Sequence, residues 1–262
     1  MKIKEITDYL EQLAPLGLQE SYDNSGLLIG DKYAECSGAL ISLDVTEDVV
    51  DECIEQKCNL IIAHHPLIFK GLKRIVIDNY VGRTVAKAIK NDIAVYAIHT
   101  NLDNVFLEGV SAQLARRLNL ELVEVLKPMG IDKKEFGAGV IANTIKPYSE
   151  MDFLIYMKEI LGLKSIKYTS LLDKEINRVA ICGGSGSFLI NEAIQSESDI
   201  FISADFKYHD FFDANGKIIL ADIGHYESEI YTINLIFDKL KNNFTNFALH
   251  LTSIITNPIN YL

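Results

Sequence analysis

Two adjacent histidines, His64 and His65, follow the apolar run 59–63 and are closed off by Pro66. A single imidazole after a strand is commonly a hydrogen-bonded structural residue. Successive side chains on an extended backbone point to opposite sides, however, so an adjacent pair can serve two metal ions rather than chelate one. His225 and Glu229 stand four residues apart at the start of a run with helical spacing, which puts imidazole and carboxylate on one helix face. The plainer reading there is an exposed first turn in which Glu227 and Glu229 only favour the helix dipole. His99 and Asp103 form a further imidazole–carboxylate pair. Asp103 suits a hard or borderline divalent cation, and His99 could be a ligand, support one, or shuttle a proton. The set His64, His65, Asp103, His225 and Glu229 offers nitrogen and oxygen donors without thiolate. That mixture fits Zn, Mn, Fe or Ni and fits Ca less well. Two such ions per chain would acidify a water held between them and supply a nucleophile for hydrolysis.

Three other segments carry polar residues with a plainer alternative. Asp205 and His209 have the same four-residue spacing; Asp205 reads as a helix N-cap, and His209 as a general acid or base rather than a ligand. The turn Gly183-Gly184-Ser185-Gly186-Ser187 follows a strand and opens a helix, where backbone amides can cradle an anion. It matches neither the dinucleotide fingerprint nor a P-loop, and a tight turn explains it as well. In the segment 21–30, Asp23 and Asn24 can cap a turn, and nothing in the residues alone makes it catalytic.

The elements that must position these residues alternate along the chain. Helical spacing covers 3–14, 46–56, 80–90, 108–118, 151–161, 206–213 and 226–241, while short apolar runs mark strands at 39–43, 59–63, 93–98, 136–144, 178–181, 200–203 and 218–221. This rhythm predicts α/β layers with a largely parallel sheet. In such sheets ligands gather beyond the carboxyl ends of the strands. Five of the six histidines fall there. The stretch 126–134, with Pro128, Gly130 and several charges, is the expected boundary between a first half, 1–125, and a second, 126–262.

Composition narrows the function classes. With 262 residues and 48% hydrophobic side chains the chain can bury a sizeable core. No apolar run approaches the roughly 20 residues of a membrane span. The opening MKIKEITDYLEQLAPLG does not read as a signal peptide, so a cytoplasmic location is expected. The four cysteines fall in no ligand spacing; Cys53 and Cys182 read as core thiols. A net charge of −11 opposes binding to nucleic acid and suits metal cations.

The segments YDNSGLLIG, IIAHHPLIF, AIHTNLDNV, GGSGS, ADFKYHDFFDA and DIGHYESE, in this order, resemble the NIF-three-like family, labelled GTP cyclohydrolase 1 type 2 homologues. The resemblance covers about residues 20–240. It implies that His64, His65, Asp103, His225 and Glu229 are dinuclear metal ligands, with Glu229 as the bridge. It also implies two intertwined α/β halves with the dinuclear site between them, and a ring-shaped homohexamer built as a trimer of dimers. The sequence departs from the family in three ways. Tyr22 stands where members usually carry Trp, Ser203-Ala204 where many carry Thr-Gly, and 126–134 leaves no room for the extra domain of longer relatives. The function this implies is a metal-dependent hydrolase acting on a nucleotide-like small molecule, with GTP ring opening by water attack at C8 as the specific reaction. A non-enzymatic metal-handling or scaffold protein is the alternative, and a regulatory protein-interaction module is a third.

Overall fold

A computed structural model describes residues 1–130 and 135–262. It is a mixed α/β structure with two sheets, and the chain folds into two compact units. The first comprises Met1–Leu102 and Thr232–Pro258, the second Asp103–Tyr231 and Ile259–Leu262. The division differs from the expected halves at both ends. Of the stretch 126–134, residues 126–128 end strand Glu121–Pro128, which pairs antiparallel with Gly137–Ser149 inside the second unit, and residues 131–134 lie outside the described residues.

In the first unit the strand order is Gly26–Ile29, Ala94–Ala97, Leu60–Ala63, Ala39–Ser42, Leu249–Leu251. The four strands from Ala94–Ala97 onward run parallel, and only Gly26–Ile29 is antiparallel. The three central strands are buried along their whole length, which explains their unbroken apolar character. Helix Ile3–Leu13 buries Ile3, Ile6 and Leu10 at helical spacing. Helices Glu47–Glu55 and Tyr80–Lys90 begin at capping side chains, Thr46 accepting from the Val49 amide and Asn79 from the Gly82 amide. The carboxylate of Glu52, itself buried, accepts from the Ser253 amide at 2.8 Å and from the hydroxyls of Ser253 and Thr252. It thereby fastens the chain just after the last strand.

The second unit's sheet is mixed, not largely parallel. Its order is Glu121–Pro128, Gly137–Ser149, Glu175–Ser185, Ile200–Ala204, Ile219–Asp222, Lys167–Tyr168. The middle three strands are parallel to one another and the rest pair antiparallel. Phe153, Val179, Ile181, Ile200 and Ile219 form the core beneath helix Glu150–Ile160.

Two expected helices change. The run 206–213 is irregular followed by a short 3₁₀ turn, Asp210–Ala214. The long helix 226–241 is broken into His225–Glu229 and Thr232–Asn243, and the break at Ile230–Tyr231 is where the chain passes from one unit to the other. Among the described residues no helix is long and apolar enough to cross a membrane, and all four cysteines are free thiols, three of them buried.

Candidate metal centre

Parallel pairing lines up the carboxyl ends of the first unit's strands, and the polar residues that follow them meet there. Strand Leu60–Ala63 continues into His64 and His65, whose amides donate to the carbonyls of Ser42 (3.2 Å) and Leu43 (2.9 Å). The neighbouring strand delivers His99, and the Ile98 amide donates to the Ala63 carbonyl at 2.9 Å. The three imidazole rings stand 5.0–5.4 Å apart, centroid to centroid. One nitrogen from each lies within 4.8 Å of the others. His64 is completely buried.

Each ring is held through Nδ1. His64 Nδ1 lies 2.8 Å from the Ile98 carbonyl, His65 Nδ1 2.8 Å from Asp44 Oδ1, and His99 Nδ1 2.7 Å from Asp23 Oδ1. An imidazole so held has its tautomer and orientation set, and any metal is taken by Nε2. Asp23 is itself fixed by the Thr100 amide at 3.0 Å, the Ser25 hydroxyl at 2.9 Å and the Thr100 hydroxyl. Burial alone would raise its pKa, but the bonds from His99 and Thr100 outweigh burial and hold the carboxyl well below the ordinary range.

The second unit repeats the device. Strand Ile219–Asp222 ends in the buried Asp222, which accepts from the amides of Gly224 (3.1 Å) and Phe206 (3.3 Å) and pairs with Lys167 Nζ at 2.7 Å. These bonds shape the turn that starts helix His225–Glu229. His225 Nδ1 lies 2.7 Å from Asp205 Oδ2, and its Nε2 lies 3.1 Å from Glu229 Oε2. Asp205, just past strand Ile200–Ala204, has φ +58°, a conformation Asp tolerates better than most residues. Glu229 is buried, and one of its carboxylate oxygens lies within 4.8 Å of an Asp103 oxygen.

A model of the DUF34/NIF3 family (NGG1p interacting factor 3) matches residues 1–258. The chain belongs to the DUF34/NIF3 family. A Clostridium acetobutylicum relative named GTP cyclohydrolase 1 type 2 homolog is 34% identical over 98% of this chain and 94% of its own length. A Campylobacter jejuni relative of the same name is 36% identical over the full length of both. A Staphylococcus aureus crystal structure superimposes with a TM-score of 0.91 at 30% identity, covering 100% of this chain and 99% of that one.

Within this DUF34/NIF3 chain the glycine turn has a different role from anion cradling. Gly183 and Gly184 sit inside strand Glu175–Ser185, and their amides donate to the hydroxyls of Ser111 (3.2 Å) and Ser228 (2.9 Å). Gly184 has φ +65°, and a Cβ there would stand 2.2 Å from Glu229 Oε1. The glycine makes room for the carboxylate.

Within the first unit His64, His65 and His99 form one donor group; within the second, Glu229 lies close both to His225 and to Asp103. His209 joins none of the groups found among the described residues; its ring lies against Tyr208 and Phe212 at an exposed turn. Asp205, expected as a helix cap beside His209, instead orients His225. The carboxylates that orient imidazoles are Asp23, Asp44 and Asp205; motif reading took Asp23 and Asp205 for caps and passed over Asp44. Their one signal is position, since each follows or flanks a strand at the ligand-bearing edge. His225 carries the largest electrostatic consequence. Burial would lower its pKa, but Asp205 and Glu229 on its two nitrogens push it up to about 11.

Proposed function

We propose that the chain holds two divalent metal ions through His64, His65, Asp103, His225 and Glu229, with Glu229 as the bridge, and hydrolyses a nucleotide-like substrate. The observation that carries this reading is the treatment of the ligand imidazoles. His64, His65 and His225 each have Nδ1 committed to a carbonyl or carboxylate at 2.7–2.8 Å, the arrangement that presents Nε2 to a metal. The donor set is nitrogen and oxygen only, which suits Zn, Fe, Mn or Ni. When bound, divalent ions in such a set supply Lewis acidity and activate water near neutral pH.

The chain's own residues supply the rest. Asp44 and Asp205 fix the rings of His65 and His225, and Gly184 leaves the space in which Glu229 holds its carboxylate. His99, locked at Nδ1 by Asp23, exchanges a proton at Nε2. Assembly as a homohexamer, a trimer of dimers, belongs to the same reading; sedimentation of the full chain tests it.

The name borne by the relatives makes GTP the first substrate to assay. Metal-loaded protein should turn over at least one member of a nucleotide panel, and His99→Asn should lower turnover while metal content is kept. No turnover across the panel, with both metals present, would refute the hydrolase and favour the non-enzymatic metal-handling alternative, which the same donor set supports. Transfer of the metal to an acceptor apoprotein would then be the positive sign of that alternative.

A further inference from the structure

Between Pro66 and Ile77 the chain carries three basic residues, Lys70, Lys73 and Arg74, and no acidic one, in a protein whose net charge is −11. All three are exposed. Among the described residues none of them forms an ion pair, whereas Arg83 and Lys87 of the following helix are neutralised by Glu47 and Asp51. An uncompensated cationic segment on an acidic surface is a local attractor for anions.

The segment is fixed at both ends. At its root the Asn24 side chain donates to the Ile68 carbonyl at 2.6 Å, and the Phe69 ring lies 6.0 Å from the His99 ring and 6.1 Å from that of Tyr22. At its far end the backbone of Val76 sits against Gly82, where even a Cβ would come within 1.8 Å of the Val76 carbonyl oxygen. Lys70 therefore follows directly on a residue whose ring lies beside His99. Arg74 lies four residues further on, within about 14 Å of extended chain. A ligand whose reacting end lies at His64, His65 and His99 would bring an anionic tail into reach of these side chains.

We infer that Lys70, Lys73 and Arg74 form an arm that binds the phosphate tail of a small-molecule di- or triphosphate whose other end lies at the imidazole cluster. This rests on the reading of that cluster as a substrate-facing metal site, and it assigns the residues that hold the phosphate end of the substrate. Lysine and arginine both serve oligophosphates, lysine as a point charge and arginine as a bidentate donor. Two anchored ends reduce the ordering cost of binding.

The test is calorimetric titration of full-length protein with inorganic triphosphate, on metal-loaded and chelator-treated samples, with metal content measured in parallel. The triple variant K70Q/K73Q/R74Q should bind triphosphate about tenfold more weakly or worse, with metal content unchanged. The charge-conserving variant K70R/K73R/R74K should bind within about twofold of wild type, and so should K32Q/K90Q, which removes exposed lysines elsewhere. Wild-type binding should weaken as salt is raised. A wild type that binds no triphosphate, or a triple variant that binds as well as wild type, would overturn the inference even with two metals in place. Absent metals together with intact, arm-dependent triphosphate binding would remove the metal reading and leave the arm. Flotation with phosphatidylglycerol vesicles separates the other phosphate source: arm-dependent vesicle binding without triphosphate binding would overturn the inference in favour of a lipid headgroup.

Discussion

Gly184 and Glu229 are packed so closely that a methyl group on the glycine would stand 2.2 Å from Glu229 Oε1, and the glycine's φ of +65° is one that L residues rarely adopt. The strand that carries the glycine turn thus shapes the space for the Glu229 carboxylate, far later in the chain. Gly184→Ala should cost about 1–3 kcal/mol in chemical denaturation, combining backbone strain with displacement of a buried carboxylate. It should also reduce metal affinity. Unchanged affinity would show that Glu229 does not depend on this space.

Asp205 holds His225 by a bond of 2.7 Å to Nδ1. Asp205→Ala should lower metal affinity by about 10–100-fold, with the fold intact by circular dichroism, because the ring loses its orientation rather than its donor. Asp205→Asn should lose less, since an amide oxygen still accepts from Nδ1–H. Competition titration against a chromophoric chelator reads both.

The His225 pair gives the metal-free protein a defined pH dependence. The histidine's pKa is raised from 6.5 to about 11, so it binds a proton more tightly folded than unfolded. Its stabilisation is fully present below pH 6.5 and is lost as pH rises toward 11. In metal-free protein, His225→Gln should therefore be most destabilising near about pH 6 and least near about pH 10, by urea denaturation. Metal must displace this proton, so affinity should fall as pH is lowered. A pH-independent effect of the substitution would contradict the assignment.

Glu52 fastens residues 252–253 with a buried carboxylate. Glu52→Ala should cost about 2–4 kcal/mol, because three donors lose a charged partner. Burial would raise this carboxyl's pKa, but the bonds from Ser253 and Thr252 outweigh it and lower the value. The stabilisation is therefore present at neutral pH and lost as the solution is acidified through that lowered value. Guanidinium melts at about pH 7 and about pH 3 should show the difference between wild type and variant shrinking.

The candidate ligands could be picked out in the sequence because their spacing is local. His64 and His65 stand at the end of a strand that any periodicity reading finds, and His225 and Glu229 keep their helical spacing in a helix only five residues long. The break after Glu229 was not legible, since apolar residues recur at helical spacing straight through Ile230 and Tyr231 while the chain changes unit there. Pro128 and Gly130 pointed to a linker, yet Pro128 is the last residue of a strand paired within the second unit, since a proline suits a strand end as well as a boundary. Asp23 and Asp205 read as caps, and Asp44 escaped notice, for a similar reason. An aspartate after a strand looks the same whether it caps a turn or holds an imidazole, and the distinction lies in partners 20 to 76 residues away.

The most direct test of the metal assignment is elemental analysis by mass spectrometry of purified wild type beside His64→Ala and Glu229→Ala, each shown to be folded. The account predicts two divalent ions per chain in the wild type and loss in both variants, with the greater loss in Glu229→Ala as the shared ligand. Wild-type stoichiometry retained in either variant, or no divalent ion bound by wild type after metal loading, would contradict it.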